Sequence, residues 1–135
     1  MSARPLGQAD YRALAEFRRQ LRVFLRFSED AARDQGITPS QHQLLLAVKG
    51  GAGEGTPSVS DLAGTLLLRT HSAVELVGRA TEAGLVHTTA DPRDHRRHLV
   101  ELTPEGEQIL AALSRLHRYE LRSFRSDLHE VLGRL

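Results

Sequence analysis

The chain contains no cysteine, which excludes disulfides, thiolate zinc sites and thiol-based redox sensing. It contains no tryptophan, and aromatic residues make up only 4% of it. A core must therefore be built from Leu, Val and Ala, of which Leu and Ala are strong helix formers. Lysine is nearly absent: of 18 basic residues all but Lys49 are arginine. The formal net charge is only +1, so overall charge does not mark the chain as a polyanion binder. No apolar run approaches the roughly 20 residues of a membrane span. The opening stretch MSARPLGQAD lacks the apolar core of a signal peptide. The expectation is a cytoplasmic protein with no membrane partner.

A length of 135 residues suits one domain. After a loose tail with Pro5 and Gly7, Leu14, Phe17, Leu21, Phe24 and Leu25 recur at helical steps from Ala9 to Gln35. Arg12, Arg18, Arg19, Arg22 and Arg26 occupy the other face. A helix of that length measures about 38 Å, more than one small domain covers. Its apolar stripe is expected to meet a second subunit in part. Gly36 reads as a helix stop, and Thr38-Pro39 as the cap and first residue of a second helix. The glycine-rich run from Gly50 to Pro57 reads as a flexible loop. Ser58 and Asp61 have capping-box spacing for a short third helix.

The stretch Arg69–Thr103 organises the rest. It reads as a helix capped by Thr70, a stop at Gly84, a strand over Leu85–Ala90, a polar turn, and a returning strand over His98–Leu102. Thr103-Pro104 then opens another helix running to about Ser123. Leu128, Val131, Leu132 and Leu135 suggest a separate last short helix. The fold expected is mainly α with a small two-stranded β wing. A winged helix-turn-helix lobe over 38–103 would be flanked by dimerisation helices over 9–35 and 104–135, within a single domain over 1–135.

These residues resemble the MarR family of winged helix-turn-helix transcriptional regulators. Asp91, Arg93, Asp94, Arg96 and Arg97 match the family's wing pattern. Leu102-Thr103-Pro104-Glu105-Gly106 is similar to its entry to the helix after the wing, and Ser58 to Leu66 to its first motif helix. The resemblance implies a homodimer whose first and last helices interleave, with each subunit presenting a winged helix to a pseudo-palindromic double-stranded DNA operator. It also implies a repressor released by a small aromatic or phenolic ligand, bound between the dimer region and the DNA-binding lobe.

With Ala73, Leu76, Val77 and Ala80 inward, the fourth helix leaves Thr70, His71, Ser72, Val74, Glu75 and Arg79 outward. The N-terminal part of such a helix meets base edges in the major groove. Thr70, His71 and Ser72 can bond phosphates or bases, Val74 suits a thymine methyl, Glu75 can accept from cytosine, and Arg79 suits a phosphate. Ser58 and Arg69 join the DNA-binding set, with Arg93, His95, Arg96 and Arg97 from the turn. Asp91 and Asp94 are expected to stabilise the wing by flanking and holding Arg93. An arginine at the tip, Arg96 or Arg93, suits a narrow minor groove. Phe17, Leu21, His42 and His117 are candidates for the ligand crevice.

The seven histidines show no tight ligand spacing on one helix, so no metal site is expected, and no cofactor. Gly50 to Gly55 lacks the Lys-Ser/Thr pair of a phosphate loop, and no serine elbow is present, so no enzymatic role is expected. From Arg69 to His98 five arginines face four acids. That near balance motivates a second reading, a protein-interaction module on a winged-helix scaffold without DNA binding.

Overall fold

A computed structural model describes residues 4–51 and 53–135. Seven elements follow one another: α1 (Gln8–Asp34), α2 (Pro39–Gly50), α3 (Val59–Thr65), α4 (Thr70–Glu82), β1 (Val86–Ala90), β2 (His98–Leu102) and α5 (Pro104–Gly133). The expected flexible loop after α2 includes Ala52, which lies outside the described residues.

Local chemistry sets most of the boundaries. The Thr38 hydroxyl accepts from the Gln41 backbone N–H, while the Gln41 side chain accepts from the Thr38 N–H, each at 3.0 Å. Ser58 and Asp61 make the same reciprocal pair at the start of α3, at 3.1 and 3.0 Å. Thr103 caps α5 through the Gly106 N–H at 3.0 Å. Gly36 and Gly84 follow α1 and α4 with φ of +81° and +78°, the left-handed region that glycine enters without steric cost.

Two elements depart from expectation. Thr70 does not cap α4; Arg69 occupies the cap position with extended backbone and makes no side-chain cap hydrogen bond. The final helix is not divided. α5 runs unbroken for 30 residues, about 45 Å. No Gly or Pro interrupts it between Gly106 and Gly133, and its inward stripe continues through His117, Phe124 and Leu128 to the buried Val131. Leu121, which the sequence placed on that stripe, is 41% exposed.

α1 and α5 lie antiparallel, since Phe24 stacks near Phe124 and Ser28 bonds His117. The α1 side chains buried along its length are small or polar. The buried positions of α1 are Asp10, Ala13, Ser28, Ala31 and Ala32, while the larger Leu14 and Leu25 are 43% and 45% exposed. The main core instead gathers Leu44, Leu45, Leu62, Val77, Leu85, Val86, Val100, Leu110 and Leu113. It joins the winged-helix elements to the first half of α5.

β1 and β2 pair antiparallel from Val86↔Leu102 to Ala90↔His98. The far edge of β2 carries a bridge between Leu99 and Ser58, and the Val100 N–H donates to the Pro57 carbonyl at 2.9 Å. This fixes the hairpin to the segment before α3. At the base of the hairpin the Thr103 hydroxyl donates to the Gly84 carbonyl at 2.6 Å, and the Thr103 N–H to the Leu85 carbonyl at 3.0 Å. Gly106 packs directly on that carbonyl, where any Cβ would collide.

The turn between α3 and α4 contains the molecule's one described non-glycine residue with positive φ, Leu67 at 56°. Its side chain is 92% exposed, so no packing offsets the left-handed backbone. Leu67→Gly is expected to raise stability by about 1 kcal/mol, measured by urea denaturation at fixed protein concentration.

Candidate nucleic-acid interface

α4 is amphipathic. Ala73, Val77 and Ala80 are buried, and α3 packs closely over the small residues. Thr70, His71, Val74, Glu75 and Arg79 are exposed on the other side, with Ser72 half-buried. Val74 is 55% exposed although apolar, which suits a surface made to be covered. The uncapped N-terminus of α4 directs free backbone N–H groups outward and favours anions.

The wing turn, Asp91–Arg97, is built by its carboxylates. The Asp91 and Arg97 backbones pair at 2.9 Å. Asp91 accepts the Arg93 N–H at 2.9 Å and Asp94 accepts the Arg96 N–H at 3.1 Å. Asp94 also binds the Arg96 guanidinium in two places, at 3.1 and 3.3 Å. The arginine head holds the Asp94 carboxyl below the usual carboxylate range, with the Arg96 N–H adding to the effect. The Arg96 side chain remains 91% exposed. It is thus fixed at its head and open along its length.

Arg97 turns the other way. It bridges to Asp61 at 3.2 Å and to Asp91 at 3.7 Å, tying the wing to the start of α3. Asp61 therefore serves the helix cap and the wing at once. The Ser58 N–H is the main cause of its lowered pKa, followed by the Ser58 hydroxyl partner and then Arg97.

The candidate residues separate into groups. Thr70, His71, Ser72, Val74, Glu75 and Arg79 share the outer side of α4, and Arg69 stands exposed just before it. Arg93, His95 and Arg96 are exposed on the wing. A groove of about 480 Å³ links the two sets, with Thr70, Val74, Gly78, Thr88, Arg96 and His98 among its walls. Ser58 does not belong to the contact set: it is 2% exposed, and its hydroxyl is engaged at the α3 cap. Arg97 has its guanidinium committed to Asp61 and Asp91, a wing-anchoring position that sequence did not separate from Arg96. Asp91 and Asp94 do shape the wing, but Asp91 holds only the Arg93 backbone. Among the described residues no ion pair engages the Arg93 side chain.

In the crevice set, His42 and His117 meet with ring centroids 4.9 Å apart. The neighbours of His117 are Phe24 and Phe27, at 6.1 and 5.2 Å. Sequence had picked Phe17 and Leu21, which lie one to three turns earlier on α1. A groove of about 810 Å³ between α1 and α5 includes Gln20, Val23, Phe24, Phe124 and Val131 in its walls, but neither histidine, Phe17 nor Leu21. Among the described residues no group of three or more His, Asp or Glu could hold a metal ion, and no helix is long and apolar enough to cross a membrane.

An exposed helix beside a braced two-stranded wing defines a winged helix-turn-helix protein. Residues 35–97 match the family model described as MarR family. A transcriptional regulatory protein assigned to the hcr operon of Thauera aromatica is 27% identical over 114 residues, 84% of this chain and 67% of that protein. The transcriptional activatory protein BadR of Rhodopseudomonas palustris is 31% identical over 103 residues, 76% of this chain and 55% of BadR. This chain thus spans between about half and two thirds of those relatives. The solved structure of the transcriptional repressor CouR, bound to a 23-mer DNA duplex, is 27% identical with a TM-score of 0.67, covering 86% of this chain and 85% of CouR. Over residues 35–97 the chain is thus similar to the MarR family, a family of transcriptional regulators and not of enzymes.

Asp61→Ala should lower stability by about 1 kcal/mol at neutral pH, through the lost helix cap. Asp61 has a depressed folded pKa, so its contribution is present above the unfolded carboxylate value of about 3.9 and is lost as pH falls through the lower folded value. The difference between wild type and Asp61→Ala in urea denaturation should therefore shrink below about pH 4.

Proposed function

We propose that the chain is a homodimeric transcriptional repressor that binds a pseudo-palindromic DNA operator and is released by a small aromatic or phenolic ligand. The observation that carries DNA binding is the pairing of an exposed α4 face with an arginine held on the wing by Asp94. α4 fits the major groove through Thr70, His71, Ser72, Val74 and Glu75, with Arg69 and Arg79 toward phosphates. Arg96 and Arg93 suit the minor groove alongside, where narrow tracts concentrate negative potential. CouR is a repressor held on DNA; BadR is an activator. A reporter driven from the chain's own promoter distinguishes those two outputs here.

Dimerisation is supported by apolar side chains left bare on the long helices. Tyr11, Leu14, Val23 and Leu25 on α1 and Leu116, Tyr119, Leu121 and Leu132 on α5 are each more than two-fifths exposed. A second copy covering them through α1 and α5 would place two α4 helices at a fixed separation, matched to half-sites about 34 Å apart. The ligand reading rests on the cluster of Phe24, Phe27, His42 and His117 at the junction of α1, α2 and α5, which combines aromatic faces with polar points. A ligand seated there would favour a lobe separation that no longer matches the operator.

The near balance of charge from Arg69 to His98 motivates a second reading, a protein-interaction module without DNA binding. A mobility-shift titration with duplex from the promoter beside the chain's own gene, at two salt concentrations, decides between them. Sequence-preferring, salt-dependent retardation is expected, and its absence would leave the interaction module. Arg96→Ala should weaken that binding by roughly tenfold with melting and oligomeric state unchanged. Truncation after Tyr119 should abolish the dimer in light scattering; a stable dimer after truncation would contradict the role given to α5.

A further inference from the structure

His42 is 3% exposed, and its Nδ1 is buried without a hydrogen-bond partner. It projects from α2, within the winged-helix lobe, and meets His117 of α5. His117 has both ring nitrogens engaged: Nδ1 with the Leu113 carbonyl at 2.7 Å and Nε2 with the Ser28 hydroxyl of α1 at 2.8 Å. A carbonyl only accepts, so Nδ1 of His117 carries a proton, and Nε2 shares a hydrogen bond with the Ser28 hydroxyl. Two imidazoles from two helices thus sit against each other, tilted by 51°, where the lobe joins the long helices, and one of them has an unsatisfied nitrogen.

We propose that the His42–His117 pair is a proton-operated junction: acidification separates α2 from α5 and so shifts the winged-helix lobe relative to the long helices. For His42 the surroundings give a cation no relief. From α1 the pair is faced by Ser28 and by the rings of Phe24 and Phe27. From α2 the neighbouring core residues are Leu44 and Leu45. Among the described residues neither imidazole is paired with a carboxylate; the histidine that is, His87 with Glu101 at 3.5 Å, lies on the wing. Protonating His42 at Nδ1 would create a buried N–H without an acceptor, 4.9 Å from a second imidazole. Burial is the main cause that lowers the His42 pKa, and His117 lowers it further.

The sign follows from linkage. A separated arrangement returns His42 to water, where an imidazole titrates near 6.5. Below that pH the separated form binds the proton that the closed form refuses. The equilibrium moves toward separation by up to tenfold per pH unit for each proton taken up, until the pH reaches the lower value of the closed state. Above about pH 6.5 His42 is neutral in both arrangements and the closed form is unaffected. This junction depends on the fold alone, so it stands or falls separately from DNA binding.

Because the chain has no cysteine, the double variant Thr65→Cys, Arg125→Cys takes two spin labels and no others. Labelled chain diluted with excess unlabelled chain reports the distance within one subunit, from α3 to α5, whatever the oligomeric state. Going from about pH 7.5 to about pH 5.5, that distance is expected to lengthen and its distribution to broaden. The same labels on a His42→Gln background should show no change. A pH-independent distance in the parent, or an equal change with His42→Gln, would overturn the proposal. Should His42→Gln not fold, the parent alone decides through histidine Cε1–H titration by NMR. The distance change is expected to follow the His42 midpoint, shifted below that of the exposed histidines. A change that follows the exposed histidines instead would refute the junction.

Discussion

The close contact between the Leu85 backbone and Gly106 holds the functional part of the molecule together. Leu85 is 1% exposed, and its carbonyl receives the Thr103 N–H at 3.0 Å while Gly106 lies against it. The Thr103 hydroxyl closes the same knot from the Gly84 side, at 2.6 Å. The end of α4, the base of the wing and the first turn of α5 are therefore one body. A side chain at position 106 would force them apart, because the obstacle is backbone and cannot rotate away. α4 and the wing owe their relative placement to this point, and so does the direction in which α5 leaves the lobe.

A second layer of bracing works through carboxylates. Asp61 completes the Ser58 cap and reaches Arg97. Asp91 and Asp94 close the wing turn and orient its arginines. Three acids around the wing and the start of α3 look counterproductive on a charge count if the surface is to meet a polyanion. Their geometry resolves this: Asp61, Asp91 and Asp94 are spent on holding backbone and guanidinium groups in place. Sequence-wide charge says little about such a surface, since what matters is which side of each ion pair faces outward.

Much of this was legible in the sequence because short-range chemistry dictates it. Thr38-Pro39, Ser58 with Asp61 and Thr103-Pro104 announce helix starts through side chains that can only usefully bond three residues ahead. Gly36 and Gly84 announce stops. The register of the wing follows from two five-residue strands about a seven-residue turn. Reading failed where the deciding contact was remote. Ser58 joined the DNA-binding set by sequence, but it is buried at the α3 cap beside β2. Arg97 looked like Arg96 until Asp61, 36 positions away, claimed it. Leu128, Val131, Leu132 and Leu135 read as a separate last helix, whereas Phe124, stacked 4.9 Å from Phe24, carries the stripe of α5 onward. The partners of His117 were missed for the same reason: Ser28 is 89 residues distant in the chain, and nothing local announces it.

The two-point grip of Asp94 on Arg96 has a consequence for the thermodynamics of any DNA complex. Each phosphate neutralised by a free cation releases condensed counterions, and the salt dependence of affinity counts those events. An arginine that enters a groove with its own carboxylate attached adds little net charge, so it contributes less to that slope than to the fit. It has also lost much of its rotamer freedom beforehand, which lowers the ordering cost at the moment of contact. On DNA, a wing built this way would select for groove width more than for bulk negative charge, and would discourage lingering on arbitrary duplex.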